Sequence, residues 1–314
     1  MNYIVFDLEW NQCPYGKSAV SNKIPFEIIE IGAVKLDDNK QKIDKFQVYV
    51  KPKVYKKMHF HAGKVTGLSI EDLDCGLPFK EAADKFLEWC GEDYSFCSWG
   101  EQDLTEFQRN LKYYGMLNRL KGPMLYENIQ LQYAMYKDEP DLMRSLEYAA
   151  SDMNIQIEGD FHRALDDAEC AAMVFAVLPD ELTDKYPSLN TYQNPKKRAD
   201  EIYVEFDGYL QYVSREFKTK EAAMTDIVVR DLYCNFCNRN LNPLIKWYAK
   251  NNKNYYALGK CPAHGFIKGK IHMMKTDDDK FYVIKTIGAE TQENALEQLE
   301  EKAYMFDKPV ELTI

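Results

Sequence analysis

The chain has 314 residues, 46% of them hydrophobic, with 50 acids against 40 Lys or Arg and a formal net charge of −10. That length suits two ordinary domains with real cores, and the longest apolar run, 171–178, falls short of the roughly 18 apolar residues that a membrane span needs. The acidic total argues at first sight against a polyanionic ligand, the opening residues lack a signal-peptide pattern, and eight cysteines are too few for a disulfide framework, so a soluble cytoplasmic protein with reduced thiols is expected.

The first element, 3–9, reads YIVFDLE: three apolar residues in a row, then Asp7 and Glu9 inside the same short strand. Residues two apart on a strand share a face, which sets these carboxylates about 7 Å apart along the chain. Like charges that close repel, and burying either one unpaired is costly, so a cation between them is expected. Strands at 26–37 and 42–50 follow, which with the first suggest a meander. A loop rich in Lys, His and Gly leads to a helix over 78–90, with Phe79, Ala82, Ala83, Phe86, Leu87 and Cys90 on one face. A strand at 94–99 and helices at 104–113, 128–136, 144–153 and 164–178 complete a sheet with helices packed on it.

Around 179–200 three prolines and weak periodicity mark a boundary; 201–222 reads as helical, and short β-like stretches begin at 226. The expected organisation is a first domain over 1–180, a connector over 181–226 and a small β-rich domain over 227–314.

Two further polar clusters fall at strand ends and helix starts. In SWGEQDLTEF, Asp103 begins a helix, with Glu106 three residues later in capping-box spacing; a cap and a site role are both open. In HRALDDAE, His162 precedes a helix that carries Asp166 and Asp167 in its first turns. Asp167 shares a face with Ala164, Ala171 and Val174 and is the inward candidate, while Asp166 sits beside Arg163, Cys170 and Met173. A lone histidine at a helix start is ordinarily a surface or capping residue. Four acids and a histidine converging on one domain, however, match what two-metal phosphoryl transfer needs: oxygen ligands for two Mg²⁺ or Mn²⁺ ions and a base for the attacking water.

The ordered set Asp7-x-Glu9, Asp103 and His162-x4-Asp167 resembles the DEDDh family of 3′→5′ exonucleases, whose three motifs appear as FDLEW, SWGEQDL and HRALDDAE. The resemblance covers about 1–180 and implies a ribonuclease-H-like α/β fold, a mixed sheet flanked by helices. It further implies that Asp7, Glu9 and Asp167 hold the catalytic ion and that Asp7 bridges to a second. By the same resemblance Asp103 supports that second ion through water, and His162 is the general base. KVTGLSIEDL looks like the family's Thr-Gly-hydrophobe loop, which implies Thr66, Gly67 and Leu68 beside the substrate terminus. Trp10 stands where many relatives carry a small residue or Thr, so the pocket for the terminal nucleotide, which Trp10 would line, departs from theirs. The second motif is most similar to ERI-like RNA exonucleases.

The tail holds CNFC at 234–237 and CPAH at 261–264, two metal-knuckle pairs separated by 23 residues. Cys234, Cys237, Cys261 and His264 resemble the ligands of a zinc ribbon; the competing reading is buried thiols with a surface histidine. From Arg230 to Lys275 there are nine Lys or Arg and one acid, interleaved with Tyr233, Phe236, Trp247, Tyr248, Tyr255, Tyr256 and Phe266. Cations follow a phosphate backbone and aromatics stack on unpaired bases, so single-stranded nucleic acid is the expected partner, against a solvated basic surface over an aromatic core, or a protein contact. The expected function is a metal-dependent 3′→5′ exonuclease acting on single-stranded RNA. The alternatives are an enzyme for DNA ends or short oligonucleotides, and a non-catalytic nucleic-acid-binding scaffold.

Overall fold

The computed structural model describes residues 1–15, 24–156 and 161–306. It divides into two units, Met1–Gln193 and a second that begins at Asn194.

The first unit starts with the meander: β1 (Asn2–Gln12), β2 (Phe26–Leu36) and β3 (Lys42–Tyr49), each antiparallel to the one before. Then come α1 (Phe60–Thr66), α2 (Phe79–Cys90), β4 (Tyr94–Ser98), α3 (Gln102–Tyr113), β5 (Met124–Asn128), α4 (Ile129–Tyr136), α5 (Leu146–Asp152), α6 (Ala164–Val177), α7 (Asp180–Lys185) and β6 (Ser188–Asn190). The sheet order is β3-β2-β1-β4-β5-β6, with β4 parallel to β1, β5 parallel to β4 and β6 antiparallel to β5.

Strand alternation divides the core. Ile4, Phe6 and Leu8 of β1 pack on one face with Phe79, Phe86, Leu104 and Phe107 of α2 and α3. Val5 packs on the other face against Ala168, Ala171, Ala172 and Phe175 of α6. Asp7 and Glu9 continue the Val5 phase and so face the α6 side of the sheet. The register of β1 on β2 slips between Glu9 and Trp10, and Trp10 turns back to the opposite core, its ring 5.5 Å from Phe26. Cys13, Cys90, Cys97 and Cys170 are buried thiols and Cys75 is an exposed one.

Two expectations change here. Residues 188–190 belong to the first sheet as β6, so the unit extends past 180. Residues 201–222 hold a hairpin, β7 (Ile202–Phe206) and β8 (Tyr209–Val213), and only then a short helix, α8 (Lys220–Thr225). The physical reason is the Asp207-Gly208 turn: Gly208 has φ 81, which suits a tight hairpin and closes the helical option.

The second unit continues with α9 (Ile227–Arg230), β9 (Pro243–Ala249), β10 (Asn254–Cys261), β11 (Gly265–Lys275), β12 (Phe281–Ala289) and α10 (Gln292–Phe306). Its strands form one antiparallel sheet, β7-β8-β12-β11-β10-β9. On one face Leu210, Ile271, Met273 and Val283 pack with Ala223 and Val229 of α8 and α9. On the other, Ile245 and Leu258 pack with Ala295 and Leu299 of α10. Lys285 is fully buried and donates to the carbonyls of Val228 (2.6 Å) and Asp231 (2.9 Å), which ties the end of α9 to the sheet. Among the described residues no helix is long and apolar enough to cross a membrane.

Candidate active site

Asp7 and Glu9 project from β1 towards the start of α6, and Asp167 meets them there: each carboxylate places an oxygen within 4.8 Å of the others. The approach depends on Gly32, which pairs with Asp7 across the β1–β2 ladder. A Cβ at Gly32 would lie 2.1 Å from the Ala164 carbonyl carbon and 2.1 Å from the Leu165 nitrogen, so only the missing side chain lets α6 lie on the sheet at this point. Asp166, the other aspartate of the motif, lines a cavity with Val34, Lys42 and Glu169 instead.

His162 is exposed, with φ 72, a left-handed conformation that few non-glycine residues adopt. The bend aims its backbone N–H at Asp167 Oδ2, 3.0 Å away. Its neighbour Arg163 reaches back to β2 and pairs with the fully buried Glu30 at 3.3 Å, while also bonding the Tyr49 hydroxyl. Gln47 donates to the same Glu30 at 2.6 Å. Glu30 pairs with Glu9 across the ladder, so this clamp holds the His162 segment against the carboxylates. Sequence reasoning missed Glu30, Arg163 and Gly32; a glutamate inside the otherwise apolar IIEIG, 28–32, was the available signal for the first.

Asp103 is buried in the first turn of α3. It is not the cap: Glu101 holds that position without a side-chain bond, and Glu106 pairs with Arg109 rather than reaching back. Freed from capping, the Asp103 carboxylate accepts the Leu8 backbone N–H and its charge acts on Asp7.

Protonation equilibria reflect this crowding. Burial first, then the charges of Asp103, Glu9 and Asp167, push the Asp7 carboxyl well above its ordinary value. Burial, with Asp167 and Glu30 adding to it, pushes Glu9 to about 8. Asp103 rises to about 7 and Asp167 to about 6, burial in each case outweighing the backbone N–H donors that oppose it. Asp167 Oδ1 is buried with no hydrogen-bond partner. Clustered carboxyl oxygens, all pushed towards the protonated form by burial and mutual repulsion and one of them unsatisfied, fit a hard divalent cation such as Mg²⁺ or Mn²⁺.

The loop residues are placed differently. The Thr66 hydroxyl donates to the Ala62 carbonyl (2.9 Å) at the end of α1, Gly67 caps that helix with φ 69, and Leu68 packs with Ile29 and Leu73. Asn11, beyond Glu9 on β1, fixes the entry to α1 by donating to the Lys57 carbonyl (2.9 Å) and accepting the His59 N–H (2.8 Å).

In the second unit Cys234 Sγ lies 3.4 Å from His264 Nδ1, Cys261 Sγ 3.6 Å from the same nitrogen, and Cys237 Sγ 3.8 Å from Cys261 Sγ. Tetrahedral Zn²⁺ with sulfur at about 2.3 Å and nitrogen at about 2.0–2.1 Å implies edges of about 3.8 Å between sulfurs and about 3.5 Å between sulfur and nitrogen. The donor set therefore fits zinc. Burial raises the Cys261 thiol, but N–H groups of Ala263 and His264 and the His264 ring outweigh it and bring the thiol to about 6, favouring the thiolate that a metal needs.

A mixed sheet with helices on both faces and a carboxylate cluster at β1 and α6 defines a ribonuclease-H-like domain shaped to hold divalent cations. The exonuclease family profile, RNase_T, matches residues 4–175, more than half of the chain, and the chain belongs to that family. The order Asp7, Glu9, Asp103, His162, Asp167 places it in the DEDDh branch. It is 28% identical over 159 residues to 3'-5' exoribonuclease 1 of Rattus norvegicus and 26% identical over the same length to that of Homo sapiens. Each match takes in 47% of this chain and 45% of the relative, so the chain spans about half the length of the relatives it matches. The fold is that of the nuclease domain of 3'hExo, a DEDDh family member solved with rAMP bound: TM-score 0.50 and 22% identity over 60% of this chain and 96% of that one.

Proposed function

We propose that this protein is a 3′→5′ exonuclease that trims single-stranded RNA. The observation that carries the reading is the convergence of Asp7, Glu9 and Asp167 oxygens within 4.8 Å, beside an exposed histidine. Asp7, Glu9 and Asp167 would hold the catalytic divalent ion, with Asp7 reaching a second and Asp103 supporting it. When bound, such ions polarise the scissile phosphate, acidify the attacking water and offset charge on the leaving oxygen.

The remaining work falls to the chain. The His162 imidazole, which faces solvent, accepts the proton of the attacking water. The His162 backbone N–H bond to Asp167 and the Arg163–Glu30 clamp fix the backbone that carries that ring next to Asp167. Asp103 is buried, which keeps water from its side of the cluster. RNA is favoured because the relatives at 26–28% identity are exoribonucleases. The Cys234, Cys237, Cys261, His264 set has four protein donors and so leaves no open position, which assigns its zinc a structural task.

The test uses 5′-labelled RNA, DNA and dinucleotide of matched sequence, with Mg²⁺ or Mn²⁺, against the Asp7→Asn protein. Stepwise shortening of RNA from the 3′ end by the parent alone is expected. Equal trimming by folded Asp7→Asn overturns the site, and a preference for DNA or dinucleotide overturns the substrate.

A further inference from the structure

Within the first unit, the arginines near the carboxylate cluster are held in different ways. Arg163 is committed to Glu30 and the Tyr49 hydroxyl. Arg144 is fixed by its backbone and loosely paired at its tip. Its carbonyl accepts the Trp99 indole N–H (3.2 Å) and the Gln130 side-chain amide (2.7 Å), which joins it to the residue after β4 and to α4. The next residue, Ser145, caps α5 by accepting the Tyr148 N–H. The Arg144 guanidinium lies over the Tyr148 ring, 4.6 Å from its centroid. Its Nη2 makes a long bond of 3.4 Å to Glu139, its Nε is buried without an acceptor, and its Nη1 makes no hydrogen bond among the described residues. A planar fork of N–H donors is therefore held in place with most of its capacity unused.

The position of Arg144 follows from the elements around it. Trp99 opens the loop that leads to Asp103. Leu146, Ala149 and Ala150 of α5 pack with Ala168 and Ala171 of α6, and the charge of Glu147, in the first turn of α5, reaches Asp167. Arg144 thus stands between the segments that carry Asp103 and Asp167. It is reachable from solvent: a third of its side chain is exposed (33%), and Met143 and Tyr148 on either side are exposed as well. The surroundings are otherwise acidic, with Glu139 and Glu147 added to the carboxylates of the cluster. Divalent ions would answer the phosphate that is cut, but the next phosphate of the strand meets this acidic rim and needs a cation of its own. A guanidinium laid flat on a ring suits two phosphate oxygens at once.

We infer that Arg144, oriented by Tyr148, binds a phosphodiester of the substrate on the 5′ side of the scissile one, with a phosphate oxygen taking the place of Glu139 at Nη2 and another engaging Nη1. The inference rests on the proposed 3′→5′ activity. Cutting at the last phosphodiester leaves no phosphate on the 3′ side, so any second phosphate that the site holds lies 5′ of the cut.

The experiment measures binding of a 5′-fluorescent oligouridylate by the full chain, by anisotropy across a KCl titration, in an Asp7→Asn background so that the probe survives. Arg144→Gln should weaken binding on the order of tenfold, the loss of one charge-assisted pair. It should also lower the slope of log K against log[salt] by about 0.7, the share of one phosphate on a single strand. Arg144→Lys, which keeps the charge without the fork, should keep the slope and lose part of the affinity. In the cleavage-competent protein the loss should fall on KM for the oligouridylate and spare the dinucleotide, whose single phosphate is the scissile one. Unchanged affinity or an unchanged slope in folded Arg144→Gln overturns the inference, and so does an equal loss on the dinucleotide, which would make Arg144 a prop for the site. If Arg144→Gln does not fold, Arg144→Lys decides, and affinity equal to that of the background protein overturns the inference. Binding is read without cleavage, so a protein that trims RNA but binds independently of Arg144 loses only this contact, and one that binds through Arg144 but trims nothing loses only the activity.

Discussion

Replacing Gly32 by alanine tests how closely the site depends on the contact between sheet and helix. The new Cβ would sit 2.1 Å from backbone atoms of Ala164 and Leu165, where ordinary contacts begin near 3.4 Å. Backbone cannot swing aside as a side-chain tip can, so the first turn of α6 must retreat by about 1 Å or the strand must buckle. Overpacking of this kind costs about 1–3 kcal/mol. The greater effect is on Asp167, one turn into the displaced helix, whose oxygens leave the reach of Asp7 and Glu9. A shift of about 1 Å in a positioned group costs on the order of 100-fold in rate. The assay is kcat/KM for RNA trimming across a Mg²⁺ titration, with thermal unfolding alongside. The expected result is a protein that folds with a lower midpoint, needs more metal and turns over about 100-fold more slowly. Parent-like rate and metal requirement in folded Gly32→Ala would refute the claim that this glycine sets the cluster.

The Asp7→Asn protein should lose activity yet unfold at a higher temperature than the parent when both are metal-free, because Asn removes a carboxyl that burial and its acidic neighbours force to take up a proton on folding; a lower midpoint would contradict that cost. Asp167, Asp103 and Glu9 have folded-state values of about 6, 7 and 8, above their ordinary 3.8, 3.8 and 4.5, so the folded metal-free protein binds more protons than the unfolded chain. Their stabilising contribution is complete below about pH 4 and is lost as pH rises through those values, so the metal-free midpoint should fall from about pH 5 to about pH 8.5 and Mg²⁺ should flatten the fall. Calorimetry across that range checks it, and a midpoint that climbs in metal-free buffer refutes it. If zinc fills the knuckle, the parent should carry one zinc by elemental analysis and Cys261→Ser should lose it and lower the melting temperature of the second unit; equal zinc content and equal melting in the two proteins would remove the metal from the knuckle.

Much of the site is legible from periodicity because its residues are placed by short-range rules. Alternation along β1 sets Asp7 and Glu9 on one face, and helical phase separates Asp167 from Asp166. The failures have longer-range causes. Asp103 has capping-box spacing, but the Leu8 N–H lies beside it and Arg109 draws Glu106 away, so a tertiary contact defeats the local motif. Helix α1 is hard to foresee in a stretch with Gly63 and several cations, since Asn11, far away in sequence, fixes its entry. The edge strand β6 is three residues long and is defined by its neighbour β5 rather than by composition. Among the tail aromatics, sequence cannot tell Trp247, which packs beside α9 and donates to the Arg230 carbonyl, from Tyr248 next to it, which packs on the opposite face with the α10 cluster.

The cluster draws Asp7 and Glu9 from the first strand, Asp103 from the third helix and Asp167 from the sixth, and this ordering makes the unit divisible in a useful way. Between Asp103 and His162 the chain crosses an exposed stretch, residues 136–143, where Asp138 has φ 57 and a backbone cut disturbs little packing. A break there leaves three carboxylates on one fragment and the histidine with the fourth on the other. Neither fragment holds a complete set of ligands, so nuclease activity from two such pieces, each tethered to a different protein, would report that those proteins had met.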